Sequence, residues 1–323
     1  MSDKILGIII GFSYINGLPE KAIPSVIIDI HRAYKFMKDI TNIPSDSILI
    51  LTDMDKQILP PGISEWVAEG IVDLDIMDFM TTEPKYHAIV SYEEIIDNIT
   101  LKLSEKKYTK IILYYSGHGS NGKLDLPNKS HISIQKIREL FLFNSYYYSE
   151  KGSEPDNGIS MISDSILQNY RDVFIILDCC NGSDLDLPFY LDIPSKRFKL
   201  ASNYHLRSRL VDNLKSFIDK RVLLIVSSQQ HENAVSTYKG SLFTRLFFNR
   251  LYLMVKSSKE RSLVNLITEL NKEIKSRLSK EYIQTASIHS SYPFLPVIPS
   301  WILNPSFNCY IHDKSDSIII EIE

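Results

Sequence analysis

Residues 173–180 read VFIILDCC: five apolar side chains in a row, then an aspartate and two adjacent cysteines. A run this short and apolar on both faces suits a strand buried in a parallel sheet. Four more runs share its character: KILGIIIGF (4–12), SILILTD (47–53), KIILYYSGHG (110–119) and VLLIVSSQ (222–229). Between them the period lengthens to that of a helix. SVIIDIHRAYKFMKDI (25–40) sets Ile27, Ile30, Tyr34 and Met37 on one stripe with Ser25 as its cap, and SYEEIIDNITLKLSEKK (91–107) does the same with Ile95, Ile99 and Leu103. SLFTRLFFNRLYLMVK (241–256) and RSLVNLITELNKEIKSRLSK (261–280) read as two further helices, and YPFLPVI (292–298) as a late strand whose prolines place it at an edge. The alternation predicts an α/β fold, a three-layer sandwich with a mostly parallel central sheet and helices on both faces.

Two segments interrupt that order: residues 55–90, an insertion with an acidic middle (DLDIMD), and residues 189–209, a loop-like stretch carrying basic side chains. Neither breaks the chain into units, so a single domain over residues 1–323 is expected. With 44% hydrophobic residues the composition is that of a globular protein with a large core. A net charge of -3, from 36 basic and 39 acidic side chains, gives no overall field to gather nucleic acid or an anionic membrane. No apolar run approaches the roughly 18 residues of a bilayer span. Three cysteines (Cys179, Cys180 and Cys309), two of them adjacent, do not make a disulfide framework. A reducing, cytoplasmic setting follows, in which a thiol stays available for chemistry.

In an open parallel sheet, functional groups gather beyond the carboxyl ends of the strands. Two strand ends carry unusual chemistry: YYSGHG (114–119) holds His118 between glycines, and DCCNG (178–182) holds Cys180 just past the apolar run. A free thiol has a pKa of about 8.5 and is mostly unreactive at neutral pH, so an adjacent imidazole that takes its proton makes a nucleophile. The backbone N–H groups of Gly119 and Cys180, in loops opened by glycines including Gly182, are the candidate oxyanion donors. Taken alone, a Cys–Cys pair is more often packing than catalysis. Cys179, which alternation turns away from Cys180, fits that rule; His118 and Cys180 together at two strand ends point to acyl transfer.

YYSGHG followed by IILDCCNGSDLDLP (175–188) resembles the caspase-like cysteine peptidases, and most closely the metacaspases, whose pattern is Y-S-G-H-G, then D-(S/C)-C-H-S-G with L-D-L-P downstream. SSQQHENAVSTYKGSLFTRLFF (227–248) is similar to the small-subunit segment of that fold, and YIQTASIHSSYPFLP (282–296) to its closing segment. The resemblance implies a caspase-like sandwich with a large-subunit-like part (1–188), a basic linker-like segment (189–220) and a small-subunit-like part (221–323). It makes Cys180 the nucleophile and His118 the general base and acid, and it matches Asp29, Ser116 and Asp178 to the substrate pocket. Two carboxylates there imply cleavage after Lys or Arg, since opposite charges within about 4 to 6 Å stabilise one another. Lys196, Arg197, Lys199, Arg207 and Arg209 then become candidate sites of self-cleavage.

The chain also departs from the pattern. Asn181 stands where the family has histidine, one residue of the loop is lost, and Val26 and Ile28 replace the residues beside Asp29. The acidic run that follows the family's histidine is missing, leaving Asp186, with Asp125 and Asp184 as the remaining carboxylates, against the six to eight oxygens that Ca²⁺ takes. The expectation is therefore an enzyme that requires no cofactor and has lost the calcium site, the alternatives being calcium held at Asp186, the one ligand the resemblance carries over, or calcium acting elsewhere. Its partners are protein or peptide substrates with basic residues, with no nucleic acid or membrane, and it is a monomer. The rival readings are a catalytically inactive interaction module on the same fold, favoured by the altered CNGS loop, and a signalling domain that associates through SDSIIIEIE (315–323).

Overall fold

A computed structural model describes residues 4–15, 17–54, 62–69, 75–76, 79, 86–88, 91–120, 123–133, 172–181, 187, 189–200, 221–256, 261–291 and 296–303. In chain order the principal elements are β1 (Ile5–Gly11), α1 (Val26–Lys35), β2 (Ile48–Thr52), α2 (Ile63–Ala68), β3 (Tyr86–Ala88), α3 (Tyr92–Glu105) and β4 (Lys110–Ser116). There follow β5 (Gly119–Ser120), β6 (Lys123–Asp125), β7 (His131–Ser133), β8 (Asp172–Asp178), β9 (Phe189–Asp192), β10 (Arg197–Leu200) and β11 (Arg221–Val226). The last are β12 (Ser236–Thr237), β13 (Gly240–Ser241), α4 (Leu242–Lys256), α5 (Leu263–Arg277) and β14 (Ser287–Ser290).

The five apolar runs form the parallel heart of one sheet, ordered β10-β9-β14-β11-β8-β4-β1-β2-β3. Alternation within each strand sends side chains to both faces. Leu6, Ile8 and Ile10 of β1 and Ile111, Leu113 and Tyr115 of β4 pack against Ile95, Ile99 and Leu103 of α3. Ile9, Ile112, Tyr114, Phe174 and Ile176 face the other way, against Ile27 and Ile30 of α1, Phe243 and Phe247 of α4, and Ile267 and Leu270 of α5. The result is the predicted three-layer sandwich. α3 begins with a reciprocal capping box between Ser91 and Glu94. Ser25 does not cap α1 as expected; its backbone is already helical and its Oγ lies 3.0 Å from Ser236 Oγ. Among the described residues no helix is long and apolar enough to cross a membrane.

Two readings of the chain need correction, and one strand was not anticipated. The stretch from residue 189 is not a loop at its start: β9 and β10 form an antiparallel hairpin that continues the sheet beyond β14. The 55–90 segment is more than an insertion, because its end supplies β3, paired parallel to β2. The unanticipated strand is Ser287–Ser290, and it lies inside the sheet, antiparallel to both β11 and β9. Of YPFLPVI, which follows it, residues 292–295 lie outside the described residues, and Val297 makes an isolated bridge to Ser262. Residues 201–209 and the SDSIIIEIE terminus lie outside the described residues.

Candidate active site

β4 and β8 are hydrogen-bonded parallel neighbours whose last paired residues are Ser116 and Asp178. His118 and Cys180 therefore stand two residues past the same register position on adjacent strands. The Gly117 N–H donates to the Asp178 carbonyl at 3.2 Å, which continues the contact beyond the strands. Gly119 completes it: a Cβ there would lie 2.8 Å from the Cys180 carbonyl oxygen and 3.0 Å from Cys179 Sγ, so the two turns touch only because residue 119 has no side chain.

Cys180 is partly buried, and its sulfur accepts the Ala234 N–H at 3.3 Å. Burial pushes the Cys180 thiol up, against the lowering effect of that N–H. Cys179 faces the α3 side and is buried in its core. Its carbonyl accepts Ser227 Oγ–H at 3.2 Å and Ser228 Oγ–H at 2.9 Å, which fixes the turn that presents Cys180. Asn181, the departure from the expected motif, is left-handed (φ 55°), and its Oδ1 accepts the His231 N–H at 2.6 Å. Asparagine tolerates that conformation better than most residues, and here it ties the Cys180 turn to the 228–235 segment that supplies Ala234.

On the other strand end, His118 Nε2 lies 2.7 Å from the Lys21 carbonyl oxygen. A carbonyl only accepts, so Nε2 carries a proton and Nδ1 is the nitrogen left to take one. No hydrogen bond joins the imidazole to the Cys180 sulfur; such pairs often tighten only when substrate is bound. Tyr14, buried below, lends its hydroxyl to the His118 N–H at 2.9 Å.

The three residues expected to line the substrate pocket also meet. Ser116 Oγ donates to Asp29 Oδ2 at 3.4 Å, and the Ser241 N–H lies 3.0 Å from each Asp29 oxygen. Asp178 accepts a short hydrogen bond from Thr244 Oγ1. All three are buried, Asp29 completely. Burial, then the nearby Asp178, pushes the Asp29 carboxyl up to about 7, against the Arg32 guanidinium. Burial pushes Asp178 up as well. Ser241 and Thr244 flank the first residues of α4, so the two carboxylates also satisfy the start of that helix. Arg32, one turn along α1 from Asp29, brings Nη1 to 3.5 Å of Asp29 Oδ1 and donates to the Lys239 carbonyl at 2.7 Å. The carboxylate expected to receive a substrate cation thus already has a resident one.

Of the carboxylates considered for calcium, Asp184 and Asp186 lie outside the described residues, as does Gly182. Asp125 is committed to Lys21, whose Nζ is 3.2 Å from its Oδ2. Among the described residues no group of three or more His, Cys, Asp or Glu side chains could hold a metal. The groups missed from the sequence are of two kinds. Ala234 N–H and the Lys21 carbonyl are backbone atoms without a sequence signature. Arg32 was legible as an Asp-x-x-Arg pair on one helix face.

Comparison with known proteins adds three findings. A solved structure of caspase-1 from Spodoptera frugiperda is similar over 88% of this chain and 86% of its own, with 12% identity and a TM-score of 0.47. A search of curated proteins returned no match. The family model described as the caspase domain matches residues 83–294, a span that includes both β4 with His118 and β8 with Cys180; this chain belongs to the caspase domain family of cysteine peptidases.

Proposed function

We propose that this chain is a metacaspase-like cysteine endopeptidase that cleaves after Lys or Arg through a Cys180–His118 dyad. The observation that carries the reading is the shared register of the two strand ends, with the turns in contact at Gly119. His118 Nδ1 takes the Cys180 proton, and the thiolate attacks the scissile carbonyl carbon. The oxyanion is met by the N–H groups of Gly119 and Cys180. His118 then returns its proton to the departing amine, and water, deprotonated by the same nitrogen, releases the acyl group from sulfur. Asp29 and Asp178, with Ser116 beside them, supply the negative charge for a basic side chain, and Arg32 must share Asp29 with it. Calcium has no part in these steps. Substrates are proteins or peptides, and the segment after β9 is itself one: Lys196 sits at the hairpin turn in a left-handed conformation (φ 56°), while Lys199 is paired with Asp192 at 2.6 Å.

One assay series tests the whole reading. Fluorogenic peptides with Arg, Lys or Asp before the scissile bond are offered to the wild type and to Cys180→Ala, with chelator and with millimolar calcium. The expected result is turnover of the Arg and Lys peptides alone, unchanged by chelator and abolished in the variant, with slow self-fragmentation in the 189–220 segment only in the wild type. A folded wild type that turns over none of the peptides and resists an electrophilic Arg-peptide label would replace this reading with the inactive interaction module. That alternative draws support from one observation, the absence of a hydrogen bond between His118 and Cys180.

A further inference from the structure

Tyr14 lies outside the sequence motifs, yet its side chain meets both the backbone N–H and the ring of His118. Its ring is completely buried and its backbone is left-handed (φ 60°), a conformation that bulky residues rarely adopt. Asp53, at the end of β2, holds it there: the carboxylate accepts the N–H of Ser13 at 2.6 Å and of Tyr14 at 2.6 Å, and Ser13 Oγ–H at 3.2 Å. A backbone held against its preference by a buried carboxylate is over-determined, the condition under which such conformations persist at functional sites.

From that anchor three contacts lead to His118: one to its backbone N–H, one to its ring, and one through Leu18 to the turn beside its ring. The Tyr14 hydroxyl accepts the His118 N–H at 2.9 Å and donates to the Asp125 carbonyl at 2.9 Å. Its ring lies against the His118 ring, with centroids 4.8 Å apart. Its carbonyl accepts the Leu18 N–H at 2.9 Å, and the Leu18 carbonyl accepts the Lys21 N–H at 2.8 Å, so Tyr14 also supports the turn whose Lys21 carbonyl fixes Nε2. Tyr115 completes the cradle by donating to the His118 carbonyl at 2.8 Å. Gly117 makes room for both phenols, since a Cβ there would stand 2.8 Å from each hydroxyl.

We propose that Tyr14, clamped by Asp53, is a positioning residue that sets the backbone, ring plane and tautomer of His118 toward Cys180. The proposal rests on the reading of His118 as the base. A reacting group displaced by about 1 Å loses on the order of a hundredfold in rate, so loss of one of the three contacts should cost about tenfold to a hundredfold.

The test is the rate of alkylation of Cys180 by iodoacetamide as a function of pH, with Cys180→Ala as background, in the wild type, Tyr14→Phe, Asp53→Asn and His118→Ala; thermal unfolding is measured beside it. Tyr14→Phe keeps the ring and removes the hydroxyl. The expected result is a folded Tyr14→Phe protein alkylated about tenfold to a hundredfold more slowly at neutral pH, its profile moved toward that of His118→Ala. Asp53→Asn should move the same way, and it carries the test if Tyr14→Phe does not fold. Wild-type rates and profile in Tyr14→Phe or, where that variant does not fold, in Asp53→Asn, with His118→Ala slowed, would overturn the positioning role and leave the dyad standing. A wild-type profile in His118→Ala itself would overturn the dyad, and the positioning role with it.

Discussion

Replacing Asp29 with asparagine separates the cost of its buried charge from its use. The ordinary carboxyl value is 3.8, and the folded protein holds Asp29 at about 7. Between those two values the unfolded chain has released the proton and the folded chain still binds it. Wherever the unfolded state binds fewer protons, stability falls as pH rises; the Asp29 contribution therefore declines from about pH 4 to about pH 7 and is level above. A tenfold change in proton affinity is worth about 1.4 kcal/mol, which makes the whole decline about 4 kcal/mol. The substituted amide would keep an oxygen for the Ser241 N–H and carry no charge. Denaturant unfolding of Asp29→Asn and wild type at pH 4.5 and pH 8 is expected to show the wild type losing about 3 kcal/mol relative to the variant across that interval, the part of the decline that lies above pH 4.5. The same ionisation makes a second outcome: preference for an Arg over a neutral peptide rises with pH through about 7 in the wild type, and the variant, left with Asp178 alone, lacks the part of that rise that Asp29 supplies. Parallel stability curves would show that the carboxyl does not titrate in this window. A stability difference without the change in preference would leave Asp29 a support for α4 and remove it from the substrate pocket.

Two further predictions test the site's closeness and its charge. Gly119→Ala puts a methyl 2.8 Å from the Cys180 carbonyl, a backbone atom that cannot swing aside; unfolding should show a loss of about 1–3 kcal/mol, and kcat/KM should fall about a hundredfold, whereas near-wild-type values would mean that the two turns part freely. Arg32→Gln removes the cation 3.5 Å from Asp29; as that guanidinium is partly exposed, its competition is worth about 1 kcal/mol, so KM for Arg peptides should fall about fivefold, and an unchanged or higher KM would show that substrate never meets this carboxylate.

The parts of the fold that composition determines were readable, and the parts that partners determine were not. β1, β2, β4, β8 and β11 are buried on both faces, so each needs an unbroken apolar run and announces itself. β14 reads SIHS and β3 reads YHA. Too short and too polar to signal anything alone, they are strands because a neighbour offers free N–H and C=O groups at the right spacing. β9 and β10 alternate apolar with polar residues around a turn, and the basic side chains that suggested a solvated linker belong to that alternation: Lys199 stands opposite Tyr190 and pairs with Asp192.

At the site, the same division separates side chains from their supports. His118, Cys180, Ser116 and Asp178 could be located because a parallel sheet converts strand ends into a shared rim, so that motifs far apart in sequence become neighbours once β4 and β8 pair. What orients them is largely backbone: the Lys21 carbonyl on Nε2, the Ala234 N–H on the sulfur, and the Cys179 carbonyl under Ser227 and Ser228. Any residue type could supply such groups, so no motif marks them; what marks them is the side chain that holds their segment in place. Asn181 does so for the Ala234 segment through His231, and Tyr14 for the Lys21 turn through Leu18. Both are non-glycine residues with positive φ, one on each side of the proposed dyad, and each bears a cost of its own conformation that its contacts offset. The loop change that first argued against catalysis, asparagine for histidine, therefore makes a tether where the resemblance alone suggested a lesion.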